Sequence, residues 1–158
     1  VGYRAPTFTI TSETLWATDI LASCGIKYDS SVFPMSLIAD YTKIPGLSAD
    51  PFVLPNCLVE VPIGCADYWG FRIPFAGGMF FRILPLWFTK AMLRRCSRQN
   101  RSIMFYIHPW EIDPGQPRMT TGRLQAVRHY TNLDKTLDRL DELFSRFTFT
   151  SARKVLGL

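Results

Sequence analysis

The stretch Ser102–Pro114, SIMFYIHPWEIDP, limits the possible folds of this chain more than any other segment. All five residues at positions 103 to 107 are apolar or aromatic, so both faces of a strand there would be apolar. A strand that is apolar on both faces is typical of a parallel sheet covered by helices. Pro109 cannot donate a hydrogen bond to a neighbouring strand, so the strand is predicted to end at His108. Ligands of α/β folds bind at the carboxyl ends of strands. His108 is therefore a candidate functional residue, the alternative being a core histidine with satisfied ring nitrogens.

The first thirty residues predict a strand, a helix and a second strand. Val1–Tyr3 is the end of a strand, and Ser12 can cap a helix over Glu13–Cys24, with Gly25 directly after it. Ile26–Tyr28 is the next strand, followed by Asp29. This order resembles the right-handed crossover of a parallel sheet. The predicted inward face of the helix consists of Trp16, Ile20 and Cys24.

The second half of the chain predicts two longer helices. One starts at Pro85 and runs to about Arg98, since proline suits the first helical position. The other is Leu133–Phe147, capped by Asn132, and a short tail helix is capped by Ser151. Helical spacing predicts a buried stripe on the second helix. The stripe consists of Leu133, Leu137, Leu140, Phe144 and Phe147.

Composition and charge exclude several classes of protein. The 158 residues make up one domain, 1–158, of ordinary globular composition, with 47% hydrophobic residues. The net charge of +5 is scattered, and no nucleic-acid-binding module is recognisable, so no nucleic-acid partner is predicted. The most apolar segment, Met79–Leu93, contains Arg82, Pro85 and Lys90, which excludes a transmembrane span. The cysteines are read as reduced core thiols, since they form no C-x-x-C pair. They are Cys24, Cys57, Cys65 and Cys96.

Four segments in chain order carry a resemblance to a known family. They are GYRAP at Gly2–Pro6, YDSS at Tyr28–Ser31, YIHPWE at Tyr106–Glu111 and RHYTNLDKT at Arg128–Thr136. Together they resemble polysaccharide deacetylases of the NodB-homology type, and most closely a bacterial subgroup linked to exopolysaccharide and exosortase (PEP-CTERM) loci. The resemblance covers essentially the whole chain. It implies an α/β fold, a distorted (β/α) barrel, and metal-dependent removal of acetyl groups from an N-acetylated polysaccharide.

The resemblance also implies roles for individual residues. Arg4 and Pro6 match the family's third motif, whose arginine holds the catalytic aspartate. Asp29 matches the fourth motif, whose aspartate tunes the catalytic histidine, although Ser30 stands where the family has tryptophan. His108 matches the fifth motif and would be the general acid that protonates the departing amine.

Further residues are expected to contact the sugar. Ile107 would be part of the acetate pocket, and Trp110 would stack on the sugar together with Tyr68 and Trp69. Pro6, Ile107 and Trp110 are thus the predicted substrate-binding residues. His129 is predicted to have a structural hydrogen-bonding role, with substrate binding as the alternative.

The family's aspartate base and its pair of metal-binding histidines have no match here. The only histidines are His108 and His129, so no metal ligand is predicted in this chain. The resemblance is therefore expected to map to the C-terminal part of the family domain, and the length agrees, since barrels of this kind take about 250 residues. A divalent metal such as zinc is expected in the complete protein and none in this fragment, which should be inactive alone.

Two other functions remain open at this stage. One is a non-catalytic carbohydrate-binding or interaction module that keeps the groove of the barrel. The other is a different barrel hydrolase with Glu60 and Glu111 as paired carboxylates.

Overall fold

Small sheets and short helices make up the computed structural model, which describes residues 1–34, 47–68, 71–119 and 122–158. The strands are β1 (Gly2–Tyr3), β2 (Tyr28–Asp29), β3 (Phe52–Val53), β4 (Val59–Glu60), β5 (Cys65–Tyr68) and β6 (Phe71–Pro74). The α-helices are α1 (Ala17–Ser23), α2 (Gly78–Ile83), α3 (Leu86–Arg98), α4 (Arg123–Tyr130), α5 (Leu133–Phe144) and α6 (Ala152–Val155). Turns of 3-10 helix cover Pro6–Phe8 and Pro109–Ile112. The predicted α/β class is confirmed.

The larger sheet has the strand order β1-β2-β4-β3. β1, β2 and β4 are parallel, and β3 runs antiparallel to β4. The predicted crossover from β1 through α1 to β2 is confirmed. Parallel strands end at one edge of a sheet, so the residues that follow β1, β2 and β4 lie side by side. Together with the β5-β6 hairpin, the described strands form open sheets, and the barrel stays a prediction.

The prediction of a regular strand over 102–108, buried on both faces, is wrong. This segment makes two isolated parallel bridges, Ile63 with Met104 and Gly77 with Tyr106, and its side chains are only half-buried. Its neighbours are irregular backbone, which interrupts the hydrogen-bonded ladder. Gly77 has φ of 115°, and a Cβ atom there would lie 2.0 Å from the Tyr106 carbonyl oxygen. The side chains still alternate between two sides of this segment. Phe105 and Ile107 pack against one apolar cluster, and Tyr106 packs against another.

The main core lies between the hairpin, α2, α3 and α5. Its largest fully buried members are Phe75, Phe81 and Leu143, and Phe105 and Ile107 pack against it. The smaller cluster that Tyr106 joins contains Phe33 and Ile63.

The predicted stripe of α5 is partly wrong. Leu133 and Leu140 are buried, but Leu137 and Phe144 are more than half exposed. The buried row includes Thr136 and Leu143 instead, and Phe147, which lies beyond the end of α5 at Phe144, packs against the main core. Asn132 precedes α5 as predicted, but its side chain makes no capping hydrogen bond. It donates to the Arg82 carbonyl oxygen at 2.7 Å.

The predicted burial of α1 and of two cysteines is also wrong. α1 begins at Ala17 rather than Glu13, and Trp16, Ile20 and Cys24 are exposed. Thr18 is the buried residue of this helix, and its hydroxyl accepts a hydrogen bond from the Asn56 side chain. Leu21 of α1 and Leu15 just before it pack against the buried cluster of Ala5, Ile10 and Val32, so Trp16 and Ile20 lie on the outer side. Of the four free cysteines, Cys65 and Cys96 are buried as predicted, whereas Cys24 and Cys57 are exposed.

The apolar segment around α2 and α3 is divided by the extended residues Leu84 and Pro85. In the part of the chain that the structure describes, no helix combines the length and the apolar character needed to cross a membrane.

Arg82 of α2 connects the elements that surround the candidate site. Its guanidinium donates to Glu111 Oε1 at 2.8 Å and to the carbonyl oxygens of Arg128 and Thr131, both at 2.8 Å. Arg82 and Glu111 are almost fully buried, with side-chain exposures of 3% and 1%. A buried ion pair of this kind is costly to break, because the remaining charge loses both water and partner. α2, the end of α4 and the 3-10 turn are therefore fixed together.

Replacement of Arg82 by Met should lower the free energy of unfolding by about 3–5 kcal/mol, since Glu111 would be left buried without its partner. Urea denaturation measures the change. The matched control is Arg146→Met, which removes a half-exposed partner of Glu142 at 3.4 Å and should cost less than about 1 kcal/mol. An equal decrease in the free energy of unfolding in the two variants would contradict the conclusion that Arg82 fixes these elements together.

Candidate functional site

A cavity of about 730 Å³ opens between the 3-10 turn after β1, α2, the segment 106–111 and α4. Its lining is rich in aromatic side chains and in cations. The aromatic residues are Phe8, Phe33, Phe80, Tyr106, Trp110 and Tyr130, and the cationic or titratable ones include Arg4, Arg82, His108, Arg128 and His129. Aromatic faces with a few polar groups are typical of small-molecule and sugar sites.

The structure brings four of the six predicted site residues to this cavity. Arg4, Pro6, His108 and Trp110 line it. Asp29 is fully buried and is not among the lining residues. Ile107 is also absent from the lining, because alternation turns it towards the main core.

The His108 ring lies between two aromatic side chains. It stacks on Trp110, with ring centroids 4.1 Å apart and an angle of 11° between the planes. Tyr106 approaches it edge-on, with centroids 5.4 Å apart. Burial lowers the pKa of His108; Glu111 opposes this shift, and the positive charges of Arg4 and Arg82 add to it. The neutral imidazole is therefore favoured until an anion enters the cavity.

The Arg4 guanidinium lies against aromatic faces at the edge of the sheet. It is 4.9 Å from the centroid of Tyr106 and 5.6 Å from that of Phe8, within the range of cation–π attraction. Its Nη2 atom donates to Ser30 Oγ at 2.6 Å. Its Nη1 atom is buried and has no hydrogen-bond partner among the described residues. Arg4 thus keeps one donor available for an anionic group.

The turn that carries Pro6 into the cavity is strained. Thr7 and Phe8 follow it with φ angles of 52° and 54°, in the left-handed region that side chains other than glycine rarely adopt. Such positions cost on the order of 1–3 kcal/mol each and occur often at ligand sites. Here the turn packs the Phe8 ring against Phe33 and Tyr106, with centroids 5.2 Å and 5.8 Å apart.

Asp29 belongs to a buried carboxyl pair behind Arg4. It is paired in register with Glu60 on the adjacent strand, and both residues have no exposed surface. Burial, the charge of Asp29 and a hydrogen bond with Asp29 together raise the pKa of Glu60 to about 8, against the opposing hydrogen bond from the Val32 backbone and the charge of Arg4. Glu60 is therefore mainly protonated at neutral pH.

The carboxylate that acts on His108 is Glu111 rather than Asp29. The charged groups that shift the pKa of His108 are Glu111, Arg4 and Arg82. Glu111 Oε2 also accepts the His108 backbone N–H at 3.0 Å. The sequence contains a signal for this contact, because a Glu at the third position of a helical turn reaches back to the residue before the turn. Arg82 had a signal too, as a cation inside the most apolar segment needs a buried partner.

Glu60 and Glu111 do not form a catalytic pair in this structure. Glu60 interacts with Asp29 and Val32, whereas Glu111 is bound by Arg82 and the His108 backbone. His129 is exposed at the cavity and lies edge-on to Tyr130. Trp69 and the side chain of Tyr68, which were predicted to stack on sugars, lie outside the described residues.

The donor atoms around the cavity do not fit a metal ion. Glu111, the carboxylate closest in sequence to His108, is already neutralised by Arg82. Within residues 1–34, 47–68, 71–119 and 122–158, no group of three or more His, Cys, Asp or Glu side chains could ligate a metal.

Glu60 should make the stability of the protein depend on pH. The folded protein keeps the Glu60 proton up to about pH 8, whereas the unfolded chain loses it near pH 4.5. Stability should therefore fall as pH rises from about 4.5 to about 8. Replacement by Gln should remove this slope, which is on the order of 3 kcal/mol across the window.

Urea denaturation of the wild type and Glu60→Gln at pH 5.5 and pH 8 measures the difference. His108 and the other titrating groups are the same in both proteins, so their contributions cancel. Parallel pH profiles for the two proteins would show that Glu60 is ionised in the folded state.

Comparison with known proteins assigns a family but no activity. A family model described as "Domain of unknown function (DUF3473)" matches residues 30–157. No curated protein and no solved structure gives a significant match. The matched range contains Glu60, His108, Trp110 and Glu111, and it accounts for most of the chain. The chain therefore belongs to the DUF3473 family, whose function is unknown.

Proposed function

We propose that this chain provides the sugar-binding and proton-donating side of a deacetylase that acts on N-acetylated polysaccharides. The observation that carries the proposal is the meeting of Arg4 and His108 in one aromatic cavity, although about a hundred residues separate them in sequence. Both residues match motifs of the NodB-homology deacetylases, and both are functional residues there. Trp110 and Pro6, predicted to bind substrate, line the same cavity.

The state of the Arg4 side chain supports this proposal. In the family that the chain resembles, the arginine of this motif holds the catalytic aspartate. Arg4 has a buried Nη1 donor that no described residue accepts from, next to a cavity that already contains cations. A guanidinium with a free donor binds a carboxylate by a charge-assisted hydrogen bond. A carboxylate bound there would also offset the charge of Arg4 and raise the pKa of His108, which favours its action as an acid.

The proposed action of His108 is protonation of the departing amine. Stacking on Trp110 and the hydrogen bond from its backbone to Glu111 fix the position of the ring. The aromatic faces of Trp110 and Tyr106 exclude water from one side and suit the apolar face of a sugar. The family's metal would have to be bound by residues other than those that the structure describes, since their donors do not fit one.

We also propose that the sheet is part of the distorted (β/α) barrel of that family. The parallel pairing of β1, β2 and β4 continues past β4, from Ile63 to Met104 and from Tyr106 to Gly77. Five segments that are neighbours in space therefore pair in parallel: β1, β2, the segment from β4 to Ile63, the segment 104–106, and Gly77. Continued parallel pairing with a crossover helix is the arrangement from which such barrels are built.

A non-catalytic carbohydrate-binding module is the second candidate function. The stacking of His108 on Trp110, which forms an aromatic surface at the cavity, favours it. Both candidates predict binding of an N-acetylated sugar, and only the first predicts acetate release.

Sugar binding should depend on Trp110. Isothermal titration of the chain with a tetramer of N-acetylglucosamine should give a measurable Kd, and a tetramer of glucose should bind more weakly because it lacks the acetamido groups. Trp110→Ala should weaken binding about tenfold or more through the loss of stacking. Trp87→Ala is the control, since Trp87 is 66% exposed on α3 and outside the cavity. Equal affinities for both variants would contradict a sugar site in this cavity.

Acetate release separates the deacetylase from the binding module. In the gene product as encoded, His108→Ala should lower the rate of acetate release from the same tetramer by about a hundredfold or more, as expected for loss of a general acid. The metal content of the purified protein should stay unchanged. Loss of metal in this variant would refute the acid role. If the wild type binds the tetramer but releases no acetate, the binding module is favoured.

A further inference from the structure

A chain of buried hydrogen bonds runs from Glu60 on β4 to the segment that carries Arg4. Glu60 Oε1 accepts the backbone N–H of Val32 at 3.0 Å. Asp29 Oδ1 accepts the Ser31 hydroxyl at 2.6 Å, and Ser31 Oγ in turn accepts the backbone N–H of Ala5 at 2.7 Å. The residues after β1, β2 and β4 are thereby fixed relative to one another.

A second branch of this network reaches the Arg4 side chain itself. Ser30 Oγ accepts from Arg4 Nη2 at 2.6 Å and donates to the carbonyl oxygen of Val61 at 2.5 Å. Ser30 and Ser31 are almost fully buried. The hydroxyl that holds Arg4 therefore belongs to the residue directly after Asp29 and is bound to the carbonyl of the residue directly after Glu60.

Two oxygen atoms in this network lack a donor. Asp29 Oδ2 and Glu60 Oε2 are fully buried, and no N–H group or hydroxyl of the described residues donates to either of them. Two ionised carboxylates at adjacent buried positions would repel each other strongly. A single proton between the two oxygens gives each of them a partner and leaves one negative charge on the pair.

We propose that Glu60, as the proton-bearing member of the Asp29–Glu60 pair, is a positioning residue that keeps Arg4 beside His108. The proposal rests on the proposed function only for the roles of Arg4 and His108 in the site. The raised pKa of Glu60 agrees with it. The charged groups that act on Glu60 are Asp29 and Arg4.

The physical reason lies in the competition for Arg4. While Glu60 carries the proton, the Asp29 carboxylate accepts hydrogen bonds from Glu60 and from the Ser31 hydroxyl. Arg4 then stays on the face of the Tyr106 ring. Without the proton, Asp29 Oδ2 has no donor. The Nη1 atom of Arg4 is the available cationic donor, because it has no partner among the described residues and the charge of Arg4 already interacts with both carboxyl groups. Arg4 then turns towards the pair and away from His108.

The pKa of His108 reports this movement, because the charge of Arg4 lowers it. The chain has two histidines, so NMR titration of the folded 158-residue chain resolves His108, and His129→Gln assigns its signal. Glu60→Met, which has no donor, should raise the His108 pKa by about half a unit or more. Glu60→Gln donates to Asp29 and accepts from Val32, so it should leave that pKa unchanged. Arg4→Met is the reference for full loss of the charge and should raise the pKa at least as much.

Two results would overturn the proposal. One is a rise in the His108 pKa with Arg4→Met and none with Glu60→Met, and the other is no rise with Arg4→Met. If Glu60→Met does not fold, carbon-13 titration of the Glu60 carboxyl in the wild type decides instead. Its midpoint near pH 8 should coincide with a change in the His108 ring shifts, and unchanged ring shifts there would refute the link. No sugar is needed, so a failure of sugar binding leaves this test intact.

Discussion

The ion pair between Arg82 and Glu111 is the interaction on which the rest of the site depends. It joins a helix at the centre of the core to the turn that follows His108, and the other donors of Arg82 fix the carbonyl end of α4. Arg139 and Asn132 of the α5 region bind the Arg82 carbonyl, so the same residue also anchors α5. Glu111 passes this order to His108 through the backbone hydrogen bond. A loop residue at the end of an irregular strand thereby gains a defined position.

On the opposite side of the cavity, order comes from the strand ends of the larger sheet. The short strands contribute few ladder hydrogen bonds, and the hydroxyls of Ser30 and Ser31 tie their ends together. The buried pair of Asp29 and Glu60 lies directly behind these serines. The site therefore has two separately organised walls, one carrying Arg4 and one carrying His108, and Tyr106 contacts both side chains.

The sequence predicted those features that follow from local chemistry. The parallel crossover around α1, the start of α3 after Pro85 and the tail helix capped by Ser151 depend on turn and cap residues near in the chain. Side-chain burial was less predictable, because it depends on partners distant in sequence. Leu15 and Leu21 pack on Ala5, Ile10 and Val32, which are distant or separate in sequence, and this leaves Trp16 and Ile20 facing outwards. Gly64 and Gly77 bring irregular backbone against Met104 and Tyr106 in place of a ladder. Motif resemblance picked out Arg4 and His108, which line one cavity, but the carboxylate whose charge acts on His108 is Glu111 rather than Asp29, and only the fold shows which carboxylate lies near it.

The central claim is that an acetamido group of a sugar lies beside His108 in the cavity between these walls. Isotope-filtered NMR of the labelled chain, saturated with unlabelled N-acetylglucosamine tetramer, measures this contact directly. The account predicts nuclear Overhauser peaks from an acetyl methyl group to the ring protons of His108 and Trp110. Acetyl methyl peaks to residues outside the cavity, with none to His108 or Trp110 at saturation, would contradict it.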